Sequence, residues 1–188
     1  MNAKNFLLKK IEEKFNLNDD FKILDLGCGQ ARNFIYLLSK YPKLKYVGVE
    51  PSKSEVEKAQ ELLKDFSNAK VINSTAYDVS VDNDFDLSVS LSVLEHVKYK
   101  DKFLKKGADS LKKNGHFICF YDLGHYLYPS CIKERVQLFL SKYFFKIIPE
   151  PKFVGGVDKN KVFEILKNFG LDVEKITYHN SFKSRKLF

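Results

Sequence analysis

The sequence contains few of the residues that build disulfide frameworks or metal sites. It has no Trp, one Met and only 3 Cys in 188 residues. The cysteines, Cys28, Cys119 and Cys131, are odd in number and include no Cys-x-x-Cys spacing, which argues against both a disulfide framework and a zinc site. Reduced thiols are typical of the cytoplasm, and we expect a cytoplasmic protein.

Long apolar runs and blocks of like charge are also missing. No apolar run reaches the roughly 18 residues that a transmembrane helix needs, and the charged helical pattern of residues 1–15 is unlike a signal peptide. The formal net charge is +8, but the lysines are interspersed with Glu and Asp, as on an ordinary solvated surface. A small-molecule partner is therefore expected ahead of nucleic acid or a membrane surface.

The length and composition of the sequence, with 44% hydrophobic and 30% charged residues, are typical of one folded domain, which we expect over 1–188. Short apolar runs predict strands, and apolar residues at helical spacing predict helices between them. The alternation predicts a Rossmann-like α/β fold. Its doubly wound, mostly parallel sheet would have about seven strands, helices on both faces in three α/β/α layers, and an antiparallel last strand. The predicted strands are 22–26, 46–50, 70–73, 85–91, 116–123, 171–179 and 182–188. The predicted helices are 3–17, 33–40, 54–66, 99–111, 131–145 and 159–169. Ser54 is expected to cap the helix 54–66, with Glu57 completing a capping box, and Asn114-Gly115 is expected to form a turn before the fifth strand.

The loop after the first predicted strand has the composition of a nucleotide-binding turn. Gly27 and Gly29 permit positive φ and close approach of a ligand to the backbone. Glu50 ends the next strand, where an acid suits the two hydroxyls of a ribose. A dinucleotide fingerprint would need glycine at position 32, which is Arg32, and the preceding Asp25 would repel a pyrophosphate. A cofactor with a ribose but no phosphate, such as S-adenosylmethionine, fits better.

Several segments together resemble class I S-adenosylmethionine-dependent methyltransferases. ILDLGCGQARN is similar to the first motif of that family, and VGVEPS, FDLSVSLSVLEHV and LKKNGHFI resemble later landmarks in order and spacing, over about residues 20–123. The resemblance implies methyl transfer to an oxygen or nitrogen of a small-molecule acceptor, such as a sugar, a cell-surface glycan precursor or a metabolite, with S-adenosylhomocysteine as the product. The alternatives are an RNA methyltransferase, favoured by the basic charge, and a non-catalytic S-adenosylmethionine-binding protein.

The resemblance also implies roles for individual residues. The glycine loop would contact the methionine part of the cofactor, Glu50 the ribose, and two further loops the adenine and the methionine pocket. Thr75 departs from the family, which often has an acid at this position to contact the adenine. In this chain, backbone groups of the loop would contact the adenine instead. The implied cofactor-binding residues are Asp25, Gly27, Cys28, Gly29, Glu50, Pro51, Thr75, Ala76, Tyr77 and Leu91.

Two histidines are candidates for a general base. His96 lies in Leu-Glu-His-Val, and His125 follows the fifth predicted strand. For each, a hydrogen-bonded structural histidine is the competing interpretation. Some relatives, such as ubiquinone-biosynthesis and small-RNA methyltransferases, bind a divalent metal through a Glu-His pair and a second Glu three residues before it. Glu95 and His96 match the pair. The earlier position is Ser92 in this chain, so no metal is expected, and Glu95 and His96 would anchor the start of the next helix.

The segment 124–156 is longer than an ordinary connection and is predicted to be a lid or substrate-binding insertion. Its residues 131–145 have the pattern of an amphipathic helix, for which three interpretations are open: packing over the core, a lid over the acceptor site, or contact with a membrane surface or a partner. Acceptor contacts are expected from Tyr121, Tyr126, Tyr128 and Arg135.

Overall fold

The computed structural model describes residues 3–18, 20–121, 132–144 and 156–174. Helices and strands alternate along most of this length, as the sequence pattern predicts. In chain order the described elements are α1 (Ala3–Lys14), β1 (Lys22–Leu26), α2 (Ile35–Lys40), β2 (Lys45–Glu50), α3 (Lys53–Leu63), β3 (Ala69–Asn73), β4 (Phe85–Leu91), α4 (Lys100–Asp109), β5 (Leu111–Phe120), α5 (Ile132–Tyr143) and α6 (Lys159–Asn168).

The five described strands form one parallel sheet in the order β3-β2-β1-β4-β5. The chain proceeds outward from β1 to β3 and then returns to place β4 on the other side of β1. The strand order therefore reverses between β1 and β4. Ligands of open parallel sheets bind in the crevice at such a reversal, beyond the carboxyl ends of the strands.

Apolar side chains cover both faces of the sheet. One face packs against α1, α2 and α3, with Ile11 and Leu37 fully buried, while α4 and α6 cover the other through Phe103 and Val162. Successive residues of β1 point to opposite faces, so Ile23 joins the first cluster and Leu24 joins the second. The predicted Rossmann-like α/β fold is confirmed.

Most element boundaries lie close to the predicted ones. The strands β1 and β4 occupy the predicted residues, and the first helix is present as α1. The helix α6 ends before Gly170, which has a φ of 78° and donates its backbone N–H to the Lys167 carbonyl at 2.9 Å. That arrangement is the usual glycine termination of a helix.

Two local predictions are wrong. We expected Ser54 to cap α3, but the helix begins at Lys53 and its N-cap residue is Ser52, whose side chain makes no capping hydrogen bond. We also expected β5 to start after the Asn-Gly turn, but it starts at Leu111 and is irregular across the turn, where Asn114 has a φ of 63°. The side chain of Asn tolerates this left-handed conformation, so the chain bulges without leaving the sheet.

The end of the chain was predicted to supply two more strands. Residues 171–174 follow α6 without forming a strand, and residues 175–188 lie outside the described part. The count of about seven strands and the antiparallel last strand are therefore not confirmed, and five strands are described.

Candidate cofactor site

The loop after β1 is tied by its backbone to the end of β2. The N–H groups of Gly27 and Cys28 both donate to the carbonyl of Val49, at 2.8 and 3.1 Å. Gly27, Gly29 and Ala31 all have positive φ, at 80°, 55° and 57°. These left-handed residues make a tight turn at the end of β1, and the backbone of the turn faces the crevice.

The two glycines of the loop serve different purposes. A Cβ on Gly27 would lie 2.5 Å from Cγ2 of Val93, so Gly27 lets the loops after β1 and β4 touch. A Cβ on Gly29 would meet nothing within 4 Å. Gly29 therefore presents open backbone at the point where the predicted cofactor would approach, and a bulky side chain there would enter that space.

Glu50 joins the glycine loop to the start of α3. Its Oε2 accepts the N–H of Gly29 at 3.0 Å, and its Oε1 accepts the N–H of Ser52 at 2.9 Å. A carboxylate offers about four acceptor positions, so about two remain for other donors. The half-buried carboxylate is thus oriented by two amides at the strand ends and retains the capacity to bind both hydroxyls of a ribose.

Asp25 lies beneath the loop. Its side chain is 1% exposed, and Oδ2 accepts the hydroxyl of Tyr46 at 2.9 Å. Burial, followed by the charge of Asp25, raises the pKa of Tyr46 well above its usual range, so the phenol stays protonated and donates. A buried carboxylate held by the Tyr46 hydroxyl at the end of β1 is suited to ordering the loop. Tyr46 is not among the predicted site residues, because a Tyr in a strand has no distinctive pattern in the sequence.

Gly48 makes room for the side chain of Cys28. It is paired with Asp25 across β1 and β2, and a Cβ there would lie 2.6 Å from Sγ of Cys28. Burial, then the charges of Asp25 and Glu50, raises the pKa of the Cys28 thiol above its usual range. Cys28 is therefore a neutral packing group. An isolated Gly inside a strand indicates a close approach of this kind, and that signal could have identified Gly48.

The loop after β3 is organised by Thr75. The Thr75 hydroxyl donates to Asp78 at 2.6 Å and accepts the N–H groups of Tyr77 and Asp78 at 3.3 and 3.2 Å. The side chain is therefore used within its own loop, and contact between the cofactor and the backbone of this loop stays a prediction. Asp78 places a carboxylate here that sequence reasoning missed, although an acid three residues after Thr is a recognisable capping pattern.

The end of β4 contributes a strained residue to the crevice. Ser92 has a φ of 61°, and its N–H donates to the carbonyl of Phe120 at 2.8 Å. Left-handed conformations of residues other than Gly cluster at functional sites. Leu91, one residue earlier, is 6% exposed and belongs to the first apolar cluster.

Glu95 and His96 lie in a turn after β4. The N–H of His96 donates to the carbonyl of Val93 at 2.8 Å, and α4 begins only at Lys100. The expectation that the pair anchors the start of this helix stays a prediction. Glu95 is 2% exposed, while His96 is half-buried.

Glu95 faces the interior near β5. Burial, followed by the charge of Glu95, raises the pKa of Cys119 to about 12. Among residues 3–18, 20–121, 132–144 and 156–174, no group of three or more His, Cys, Asp or Glu is arranged to hold a metal ion.

The predicted acceptor residues are only partly described. Tyr121 follows β5 and is half-buried, and burial raises its pKa, with smaller contributions from Cys119 and Asp158. Its phenol is therefore a hydrogen-bond donor at neutral pH. Arg135 is exposed on α5. His125, Tyr126 and Tyr128 lie outside the described residues and stay predictions.

A second concavity opens at the opposite edge of the sheet. It has a volume of about 530 Å³ and is lined by the amino ends of strands and by charged side chains, including the half-buried Lys22 and Asp84 and the exposed Lys45. Parallel sheets bind their ligands at the carboxyl edge, so the crevice at Gly29 and Glu50 is the candidate cofactor site.

Comparison with known proteins gives a consistent result. A family model described as "Methyltransferase domain" matches residues 24–117, half of the chain. Pavine N-methyltransferase of Thalictrum flavum subsp. glaucum is 30% identical over 96 residues, which are 50% of this chain and 27% of that protein. Ubiquinone biosynthesis O-methyltransferase of Rickettsia bellii is 22% identical over 185 residues, covering 92% of this chain and 70% of the relative.

A solved structure has the same fold. Phosphoethanolamine N-methyltransferase 2 of Haemonchus contortus, in complex with S-adenosyl-L-methionine, superposes with a TM-score of 0.68 at 21% identity, over 88% of this chain and 36% of that one. This chain thus spans about a quarter of the plant relative and about a third of the nematode structure. In the described part of the chain, no helix has the length and apolar character needed to cross a bilayer.

Proposed function

Because the chain belongs to the methyltransferase domain family, we propose that it binds S-adenosylmethionine and transfers the methyl group to an oxygen or nitrogen of a small-molecule acceptor. Family membership confirms the resemblance seen in the glycine loop and the later landmarks. The single observation that carries the proposal is the pair of hydrogen bonds from Gly29 and Ser52 to Glu50, which orients a carboxylate beside open backbone.

The described residues have distinct tasks in this proposal. The cofactor supplies a methyl group already activated on a sulfonium. Glu50 accepts the ribose hydroxyls, and Gly29 leaves space for the methionine portion along the loop. Asp25 and Tyr46 hold the loop from below. The loop of Thr75 to Tyr77 borders the adenine, beside Pro51.

The acceptor must be held about 3 Å from the methyl carbon, in line with the bond that breaks. Tyr121, with its protonated phenol, suits the task of orienting an acceptor. An acceptor that loses a proton needs a base. His96, half-buried in the turn after β4, is the described candidate, and His125 is a second. A cytoplasmic location is part of the same proposal.

Calorimetric titration with S-adenosylhomocysteine tests cofactor binding. We expect saturable binding by the wild type and its loss in Gly29→Arg, because the arginine side chain fills the open space. Gly170→Arg is the matched control, since Gly170 also has positive φ and open surroundings but lies after α6. Equal binding by both variants would contradict the proposed site.

Turnover is tested by release of S-adenosylhomocysteine with a panel of phenols, amines, sugars and short RNAs. Activity on a small molecule, indifferent to added salt, supports the proposal. Salt-sensitive binding and methylation of RNA would favour the nucleic-acid alternative, to which the net charge of +8 gives some support. Tight cofactor binding without turnover on any class would favour a binding protein.

A further inference from the structure

The helix α5 exposes a row of large apolar side chains. Ile132, Val136, Phe139, Leu140 and Tyr143 are 79%, 49%, 57%, 40% and 60% exposed. Their spacing of three and four residues puts them on one side of the helix, which we call the apolar face of α5. The interpretation in which this face packs over the core is therefore wrong for these side chains.

Basic residues border the apolar face. At about 100° per residue, Lys133 lies about 100° to one side of Ile132 and Arg135 about 60° to the other. Both side chains are exposed. The sequence of α5 contains three basic residues and a single acid, so the helix shares the sign of the whole chain, whose net charge is +8.

A surface of this composition selects its occupant by charge. Two copies of α5 packed face to face would bring their basic borders together, which opposes self-association. An anionic lipid surface offers apolar depth for the rings and negative head groups for the borders, where long basic side chains extend to the phosphate level. We propose that the apolar face of α5 docks on an anionic membrane surface, with the helix axis in the plane of the interface.

The central test is co-sedimentation of the full chain with lipid vesicles. Vesicles of phosphatidylcholine alone are compared with vesicles that also contain phosphatidylglycerol. We expect binding to the anionic vesicles that weakens with added salt, because basic residues near such a surface contribute through screened attraction. Equal sedimentation with neutral and anionic vesicles would overturn the proposal.

Two pairs of variants localise the contact. Phe139→Ala is expected to weaken partitioning about tenfold by removing a buried ring, whereas Tyr36→Ala, which removes an aromatic ring that is 55% exposed on α2, leaves it unchanged. Lys133→Glu is expected to weaken partitioning on the order of tenfold, and Lys161→Glu on α6 by less than twofold. Equal partitioning within each pair would overturn the assignment to α5.

Other occupants give different results. A mass by light scattering that rises with protein concentration, and falls in Phe139→Ala, would assign the face to a second copy and overturn the lipid proposal. Calorimetry with S-adenosylhomocysteine keeps this inference separate from the proposed function. If Phe139→Ala binds S-adenosylhomocysteine but not vesicles, the result supports docking on the membrane surface. If the wild type binds vesicles but not S-adenosylhomocysteine, the result contradicts only the proposed function.

Discussion

Replacing Glu50 with Gln tests whether one carboxylate both holds the glycine loop and binds the cofactor. In the structure its two oxygens accept the N–H groups of Gly29 and Ser52 at 3.0 and 2.9 Å. Glutamine offers one oxygen and one NH2 group, so one of the amides would face a donor. Hydrogen bonds to charged groups contribute about 1.5–3 kcal/mol. Since Glu50 is half-buried, we expect the free energy of unfolding to fall by about 1.5 kcal/mol.

The effect on cofactor binding should be larger than the effect on stability. Glu50→Gln removes the charge that the ribose hydroxyls would meet and displaces Gly29, which borders the same space. Losing about 1.5–3 kcal/mol of binding free energy corresponds to roughly 10- to 100-fold weaker affinity. Calorimetric titration of S-adenosylhomocysteine measures this change, and urea unfolding of the free protein measures the stability.

Glu57→Gln is the control, because Glu57 is an exposed acid on the neighbouring helix α3. It should leave both quantities unchanged within error. If Glu50→Gln binds S-adenosylhomocysteine within twofold of the wild type, the assignment of the ribose to this carboxylate is refuted. A normal unfolding free energy in the same variant would show that the two amides do not depend on the charge.

Three further predictions concern packing and ionisation around the site. Gly27→Ala should lower the free energy of unfolding by about 2–4 kcal/mol, through positive φ and overlap with Val93, and Val93→Ala in the same chain should recover part of it in urea unfolding; a loss below about 1 kcal/mol would contradict the packing. Tyr46→Phe removes the hydroxyl that donates to buried Asp25 and should cost about 2 kcal/mol in the same measurement, whereas an unchanged midpoint would show that the carboxylate does not need this donor. Cys119, which is half-buried and whose pKa is raised to about 12, should react slowly with iodoacetamide at pH 8 until urea is added, as followed by peptide mass spectrometry, and labelling of the folded protein as fast as that of the unfolded protein would contradict the raised pKa.

The order of the elements follows from local patterns in the sequence. Short apolar runs predict β1 and β4 at their observed bounds, and apolar residues at helical spacing predict the helices between the strands. Glycine at positions 27 and 29 indicates a ligand loop for the same local reason, since both positions require positive φ. The start of β5 depends on a distant group, because Leu111 pairs with Phe85 of β4.

What the sequence alone determined was thus the fold class, the methyltransferase resemblance and the glycine loop that is proposed to bind the cofactor. Tertiary structure decided how that loop is held. The alignment of β1 with β2 places Asp25 opposite Gly48, brings the Tyr46 hydroxyl to Asp25 and leaves space for Cys28. No local pattern contains these contacts, because they join residues about 20 positions apart in a register that only the paired strands fix. The exposure of α5 is decided in the same way, since an amphipathic pattern indicates an apolar face but not what covers it.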